Sequence, residues 1–305
     1  MLSWFSETFH LAFRQEWAIA HAMEMLKAVT ADGGFSVKKL FAALLMCVQA
    51  FNFLIFETPL PATGQELDLT GYELVFCDQF DSDALDETVW RHRGVGARRS
   101  GFNSAEQAKV ENGNLVITAE YRADGEYGAG WYVGAVALRE WYCRGYFEIR
   151  CIVTDSEFWS AFWLQAQHPY DHALSAGGVN GAEIDIFEAM SADAITDLKR
   201  NAVTTTIHCN GWDDDPEHLD SRILGDFRAN DIYHTYNTYG VEWTEDEYIF
   251  YVNGVETTRS SFASGVSTVP EELIVSVECP DDIPYEPGQH TAQMIVDYVK
   301  IYQKP

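Results

Sequence analysis

Three carboxylates lie within six residues that otherwise have the composition of a buried strand. The stretch runs from Glu183 through Asp185 to Glu188, and isoleucine and phenylalanine fill the positions between the acids. An ionised carboxylate that leaves water costs several kcal/mol of hydration free energy unless its pKa shifts. Acids gathered on one face of a sheet repel one another, so one can keep its proton while another stays ionised. A general acid and a nucleophile need this combination.

The three acids share a face only if their strand is irregular. In a regular strand Glu183 and Asp185 point to one face and Glu188 points to the other, because side chains alternate. One extra residue, a β-bulge, returns Glu188 to the first face. We therefore predict a bulge in this stretch. The alternative is an edge strand with solvated acids, which the apolar residues between the acids disfavour.

Short strands dominate the sequence after a linker that contains Pro59 and Pro61. Runs in which apolar and polar residues alternate predict strands, for example at 115–119, 146–152, 202–208, 248–252 and 295–302. Asn-Gly pairs at 112–113 and 253–254 are typical of tight hairpin turns. Many strands, close turns and few helix signals together predict an all-β sandwich or jelly roll.

Sequence motifs in a fixed order extend from residue 71 to the end of the chain. They are ELVFCDQFD at 73–81, VENGNLVITA at 110–119, GYFEIR at 145–150, FWSAFW at 158–163, TIH at 206–208, YGVEW at 239–243, YVNG at 251–254 and VDYVKIY at 296–302. With Glu-x-Asp-x-x-Glu at their centre, residues 71–305 resemble glycoside hydrolase family 16. The resemblance implies a two-sheet antiparallel β-sandwich, a jelly roll of the concanavalin A-like type, preceded by an N-terminal segment outside the domain.

The resemblance also implies roles for the three acids. Glu183 would be the nucleophile, and Glu188 would act first as general acid and then as general base. Asp185 would hydrogen-bond the nucleophile and help to set its charge. Two carboxyl groups about 5–5.5 Å apart that flank a glycosidic bond give retention of configuration, and a bulge brings such residues closer. We therefore expect a retaining endo-hydrolase of a β-linked polysaccharide, with no required cofactor.

The substrate has more than one interpretation. A β-1,3- or mixed-linkage β-1,3-1,4-glucan is our first choice, and an agar-type β-galactan is the rival. A transglycosylase is a third possibility, and it would differ from a hydrolase only in how the site excludes water. A non-catalytic, lectin-like carbohydrate-binding domain is the alternative class, which the intact set of three acids disfavours. Departures from the family motifs, such as Gln107 where many members carry Asn, concern the substrate more than catalysis.

Aromatic residues near the acids are candidates for substrate binding, because sugars stack their apolar faces on aromatic rings. Trp159 and Trp163 are four residues apart and share a strand face. The alternative is that Phe158 and Phe162 face the cleft while the tryptophans lie in the core. His208 fits the family's Thr-x-x-His pattern, which makes it a cleft candidate, with a structural histidine as the alternative.

Three further residues carry weaker signals. Trp131 and Trp212 have glycine neighbours, so each could lie in a surface loop and cap the cleft, or simply pack there. Asp297 matches a residue that binds structural calcium in many family members. Gln79 stands where those members carry Glu, which removes a charge from that site, so calcium here is only an expectation.

Composition limits the partners of the chain. A formal net charge of −27 excludes nucleic acid, whose phosphates would be repelled, and it weakens the case for a sulfated polysaccharide. Arg91, Arg93, Arg98 and Arg99 are a local exception that forms either a solvated loop or a subsite. Six cysteines without metal-ligand spacing, five of them in the domain, predict mostly free thiols. We expect a monomer that binds a polysaccharide.

The N-terminal region differs in composition from the domain at 63–305. Residues 40–56 are almost entirely apolar and follow Lys38 and Lys39. We interpret 37–62 as a signal peptide or a membrane anchor with a short linker, which predicts a secreted or cell-surface protein. A buried helix of a globular domain is the alternative. Residues 1–36 are an amphipathic helix or the product of a misassigned start.

Overall fold

The computed structural model describes residues 59–167, 178–189, 201–209, 220–261, 265–281 and 291–305. Three predictions concern residues outside these ranges: the helix or misassigned start at 1–36, the apolar run at 40–56 and the cleft role of Trp212. The chain from Pro59 onward forms one compact unit. No helix within the described ranges is long and apolar enough to cross a membrane.

The described part of the chain consists of eighteen strands and one 3-10 turn at Ala105–Gln107. In chain order the strands are β1 Glu73–Asp78, β2 Trp90–His92, β3 Gly96–Arg98, β4 Gly101–Asn103, β5 Ala108–Glu111, β6 Asn114–Gly125, β7 Gly128–Val133, β8 Ala135–Tyr142, β9 Gly145–Ile152, β10 Trp159–Ala166, β11 Glu183–Ala189, β12 Ala202–Cys209, β13 Asp220–Arg228, β14 Asn237–Trp243, β15 Tyr248–Val252, β16 Val255–Ser260, β17 Glu271–Glu278 and β18 Ala292–Gln303.

These strands form two sheets. The larger, which we call the back sheet, has the order β16-β15-β14-β9-β18-β6-β7-β4-β3, with β1 paired to β18 and β5 paired to β6. The smaller, the cavity sheet, has the order β13-β12-β11-β10-β17-β8-β2. Apart from the parallel pair of β4 and β7, neighbouring strands are antiparallel. The predicted all-β, two-sheet sandwich is confirmed.

Strand β17 shows how the sequence builds the two faces of the cavity sheet. Leu273 and Val275 are fully buried in the core between the sheets. Burial of a side chain of this size stabilises the fold by about 1.5–3 kcal/mol. Glu272 and Glu278 alternate with these residues and contact arginines on the opposite face. The period-two pattern therefore fixes which side of the sheet faces away from the core.

Two Asn-Gly turns form where the sequence predicts them. Asn112 and Gly113 have φ values of 53° and 74° and connect β5 to β6. Asn253 and Gly254 have φ values of 51° and 74° and connect β15 to β16. Two-residue hairpins of this kind need positive φ at both positions, which asparagine and glycine tolerate best.

The first described residues already belong to the sandwich. Leu60 forms a parallel bridge with Phe227, and its N–H donates to the Asp226 carbonyl at 2.8 Å. Ala62 packs against the core. The segment that the sequence assigned to a linker thus contributes backbone hydrogen bonds to β13.

Five cysteines lie within the described residues, and all five are free thiols. They are Cys77, Cys143, Cys151, Cys209 and Cys279. The last three are buried, where a thiol behaves as a small apolar side chain. Free thiols in the domain are what the sequence predicted.

Candidate active site

Strand β11 carries the predicted bulge. Asp185 lies opposite Thr206 of β12 and Glu188 lies opposite Thr204, so three steps along β11 match two steps along β12. The pairing with β10 on the other side shows the same shift. The two residues between these acids are both buried in the core. The extra residue therefore returns Glu188 to the face that already carries Glu183 and Asp185.

A cavity of about 230 Å³ opens on this face. It is lined by the three acids, the two tryptophans of β10, three arginines and three residues that the sequence analysis did not single out. The full lining is Arg93, Arg98, Arg99, Trp159, Ala161, Trp163, Gln165, Glu183, Asp185, Glu188 and Glu278. Residues from β11, β10 and β17 and from the chain around β3 thus meet at one site.

Hydrogen bonds fix the orientation of two of the acids. Gln165 Nε2 donates to Glu183 Oε2 at 2.6 Å. His208 Nε2 lies 3.1 Å from Asp185 Oδ2, and its Nδ1 lies 2.6 Å from Ser221 Oγ. When the Ser221 hydroxyl donates to Nδ1, the proton resides on Nε2 and the imidazole donates to Asp185. His208 therefore supports the middle acid of the three.

Burial and mutual repulsion raise the proton affinity of the acids. Burial, reinforced by Asp185 and opposed by nearby His208, raises the pKa of Glu188 to about 8. Burial, followed by the charges of Glu183 and Glu278, raises the pKa of Asp185 well above its usual range. At neutral pH the cavity thus contains a carboxylic acid that can donate a proton, as a general acid must.

The structure places both β10 tryptophans on the cavity side. Trp159 and Trp163 line the cavity, and Trp163 Nε1 donates to Ser276 Oγ at 3.2 Å. Phe158 and Phe162 are buried in the core between the sheets. Of the two arrangements that the sequence allowed, the structure has the one with the tryptophans beside the acids.

The position predicted for Trp131 is wrong. Trp131 lies on β7 rather than in a surface loop, is 4% exposed and packs against Phe158 with ring centroids 4.9 Å apart. Its glycine neighbour serves packing, because a Cβ on Gly130 would stand 2.8 Å from the Phe102 ring. Trp131 is therefore a core residue, and the cavity lining does not include it.

Two sets of residues bear on cation binding. The first set consists of Glu183, Asp185 and His208, whose donor atoms all lie within 4.8 Å of one another. Among the described residues, this is the cluster of acids and histidine whose spacing could hold a metal ion. Asp297 belongs to no such cluster there, and its carboxylate is ion-paired with Arg150. A guanidinium on this oxygen does not fit a calcium ligand, so the calcium expectation for Asp297 gains no support.

The sequence analysis missed Ala161, Gln165 and Glu278 and left the role of the cavity arginines open. Gln165 and Glu278 carry the same alternation signal as their neighbours, Gln165 following Trp163 by two positions and Glu278 ending β17. The arginines could be a loop or a subsite on sequence grounds, and the structure places Arg93, Arg98 and Arg99 in the cavity. Only the pairing of β2, β8 and β17 reveals this, since these strands are far apart in sequence.

Comparison with known proteins identifies relatives of this chain. Two curated relatives from Rhizobium meliloti (strain 1021) are named endo-1,3-1,4-beta-glycanases. ExsH is 26% identical over 204 residues, which cover 63% of this chain and 39% of ExsH. EglC is 27% identical over 210 residues, which cover 65% of this chain and 40% of EglC. The match thus spans about two fifths of each relative's length.

Solved structures share the fold. The non-specific endo-beta-1,3(4)-glucanase SCLam superimposes with a TM-score of 0.63 at 23% identity, covering 81% of this chain and 97% of that one. Porphyranase B from Zobellia galactanivorans gives a TM-score of 0.62 at 21% identity, covering 81% and 98%. A family model described as Beta-porphyranase A-D, GH16 domain, matches residues 74–304. Because this match takes in most of the chain, the chain belongs to glycoside hydrolase family 16.

Proposed function

We propose that this chain is a retaining endo-hydrolase of a β-linked polysaccharide, with Glu183 as nucleophile and Glu188 as acid and base. One observation carries the proposal: the bulge in β11 turns three carboxyl groups toward one cavity. A carbohydrate-binding domain has no need for such a set, because gathered acids cost repulsion and desolvation free energy without adding specificity.

In the first step, Glu188 donates its proton to the glycosidic oxygen while a Glu183 oxygen attacks the anomeric carbon. The bond to the leaving sugar breaks and a covalent glycosyl-enzyme forms. In the second step, the Glu188 carboxylate takes a proton from water, whose oxygen displaces Glu183 from the sugar. The protonation state of each acid is restored at the end of the cycle.

Asp185 and His208 position the nucleophile in this scheme. A protonated Asp185 can donate a hydrogen bond to Glu183, whose carboxylate then stays aimed at the sugar. His208 donates to the other Asp185 oxygen at 3.1 Å, which fixes the side from which the acid proton points. Gln165 restrains Glu183 from the β10 side.

The preferred substrate within this function is a β-1,3- or mixed-linkage β-1,3-1,4-glucan. The names of the two curated relatives support this choice. An agar-type β-galactan is the second candidate, supported by the family model described as a β-porphyranase domain. We further propose a secreted or cell-surface-anchored monomer that needs no cofactor, with membrane association, where it occurs, through residues 40–56.

A screen against a panel of polysaccharides, with products sized by chromatography, tests the proposal. We expect a ladder of oligosaccharides from an internal attack. Glu183→Gln should lose nearly all turnover, and Glu188→Gln should lower kcat by about 10²–10⁴-fold, because the two carboxyls act together. Asp185→Asn should be impaired less.

Glu73→Gln provides the matched control, because it removes an exposed carboxylate on the back sheet. Its activity should equal that of the unmodified protein. Binding of a polysaccharide without any cleavage by the folded, unmodified chain would instead identify a lectin-like domain. Full activity of either catalytic glutamine variant would show that the roles are wrongly assigned.

A further inference from the structure

Guanidinium groups cover the two tryptophans that line the cavity. The Arg93 guanidinium carbon lies 4.7 Å from the Trp163 ring centroid, and that of Arg99 lies 4.9 Å from the Trp159 ring centroid. A neutral sugar binds an aromatic residue by placing its apolar face directly on an open ring. The cavity itself thus offers a neutral sugar little open aromatic surface.

A third tryptophan of the cavity sheet has an open ring. Trp141, on β8, is 36% exposed, and among the described residues no arginine or lysine cation lies over its indole. The other large hydrophobic residues that are exposed there are aliphatic. A single exposed apolar side chain is common on protein surfaces, so a function for Trp141 depends on where it lies.

The pairing of the strands aligns Trp141 with the catalytic acids. Trp141 lies opposite Glu272 of β17, which lies opposite Gln165 of β10. Gln165 in turn lies opposite Glu183 of β11. Directly opposed residues of antiparallel strands point to the same face of a sheet. Tyr142, the neighbour of Trp141, is buried in the core, so Trp141 projects from the face that carries Glu183.

This row of residues also sets the distance from Trp141 to Glu183. The sheet order β11-β10-β17-β8 places three strand-to-strand steps between them. Neighbouring strands lie about 4.7–4.9 Å apart, which gives ~14 Å along the row. One β-linked pyranose unit extends a glycan by roughly one such step. A glycan that occupies the cavity and runs across the strands therefore reaches Trp141 after about three units.

Polar side chains lie between the cavity and Trp141. Glu272 accepts from Arg93 Nε at 3.1 Å and pairs with Arg91, whose side chain remains 35% exposed. Arg93 also donates to Gln165, which restrains Glu183. Sugar-binding surfaces combine an apolar platform with a few polar groups that contact hydroxyls. The row is thus continuous with the cavity and has the composition that a longer glycan requires.

We propose that Trp141 is a distal sugar-binding platform, on which a ring of the polysaccharide about three units from the cleaved bond stacks. This inference rests on the proposed function of the same cavity. It adds a dependence on chain length, because a glycan gains the free energy of stacking only when it is long enough to reach β8.

Calorimetric titration of the full-length Glu183→Gln variant, in which hydrolysis is blocked, tests this inference. The probes are two series of neutral oligosaccharides, from a β-1,3-glucan and from an agar-type β-galactan, each of about two to eight units so that the longer members span the row. We expect the affinity of one series to rise about 3- to 10-fold at the length that first reaches Trp141, the contribution of one stacked ring. We call this rise the length step.

Substitutions in the same background assign the length step to a residue. Trp141→Ala and Trp141→Gln remove the ring and should abolish the step, with the shorter probes as the internal reference. Trp141→Tyr keeps a smaller ring and should retain part of the step. Leu74→Ala removes an exposed apolar side chain from the back sheet and should keep the whole step. Melting temperatures verify that each variant is folded.

Two outcomes overturn the inference. One is the absence of a length step in both series, and the other is a step that survives in the folded Trp141→Ala or Trp141→Gln variant. Cleavage of a polysaccharide by the unmodified protein without a length step would retain the hydrolase and refute the platform. A step that depends on Trp141 in a protein that never cleaves would retain the platform and refute the hydrolase.

Discussion

Glu188 keeps a proton at a pH where an ordinary glutamate has lost it. Burial is the largest cause, and the charge of Asp185 adds to it, which together raise its pKa to about 8. The nearby His208 opposes this shift. The raised pKa of Glu188 is therefore a property of its buried position beside Asp185 and not of the residue type.

The pH dependence of kcat/KM should follow from this shift. Glu188 must be protonated to act as general acid, so activity should persist through neutrality and fall as the pH rises through about 8. We expect a bell-shaped profile whose two limbs belong to the coupled group of acids rather than to single residues. The measurement is kcat/KM between about pH 4 and pH 10 with a substrate found in the screen.

Two results would contradict this prediction. A rate that is flat from about pH 4 to pH 8 is incompatible with a mechanism that needs one protonated and one ionised carboxyl. An alkaline limb that persists in Glu188→Gln would belong to another group. A leaving group that needs no protonation, such as an activated aryl glycoside, should restore much of the rate of this variant and not of Glu183→Gln.

At the scale of elements, the bulge in β11 decides the stereochemistry. Without it Glu188 would point into the core, and with it Glu188 lines the same cavity as Glu183. We expect them to be too close to admit a water between them, so Glu183 itself must attack. NMR of freshly released sugar from a β-glucan should therefore show the β-anomer first, before mutarotation. Initial release of the α-anomer would refute the covalent mechanism.

The bulge could be predicted from sequence because it is a local feature. Three acids in an apolar strand are stable only if all three side chains point to the face of the sheet that lies away from the core. Their spacing allows this only when one extra residue is inserted as a bulge. The position of Arg99 could not be predicted in this way. Its contact with Glu278 joins residues far apart in sequence, through a turn whose glycine packs against β7. The loop position predicted for Trp131 was wrong for a related reason. A glycine that permits close packing within a sheet cannot be distinguished by sequence from a glycine in a loop.

At the scale of the whole molecule, net charge and local charge give opposite indications. The chain carries a formal charge of −27, which predicts repulsion of any anionic polymer. The cavity nevertheless concentrates three of the chain's arginines beside Trp159 and Trp163. Within a Debye length of about 8–10 Å the nearest charges dominate, so the cavity and not the total decides what binds there.

The core also contains an acid that the catalytic scheme does not use. Glu271, at the start of β17, is fully buried and accepts a hydrogen bond from the Ala182 N–H at 3.0 Å. Burial raises the pKa of Glu271 to about 8, against the opposing effect of hydrogen bonds from Ser267 and Ala182. Ala182 precedes Glu183, so this acid ties the chain just before the nucleophile to the core.

Stability should depend on pH through Glu271. Its folded-state pKa lies above its unfolded value, so its contribution to stability is fully present below about pH 4.5 and is lost as the pH rises through about 8. Glu271→Gln keeps an oxygen for the Ala182 N–H and cannot ionise, so this part of the slope should vanish, up to about 1.4 kcal/mol per pH unit. Urea unfolding of both proteins between about pH 5 and pH 8 measures it, and Glu73→Gln, an exposed acid, should keep the slope of the unmodified protein. Parallel curves for the unmodified protein and Glu271→Gln would show that the buried acid is ionised throughout.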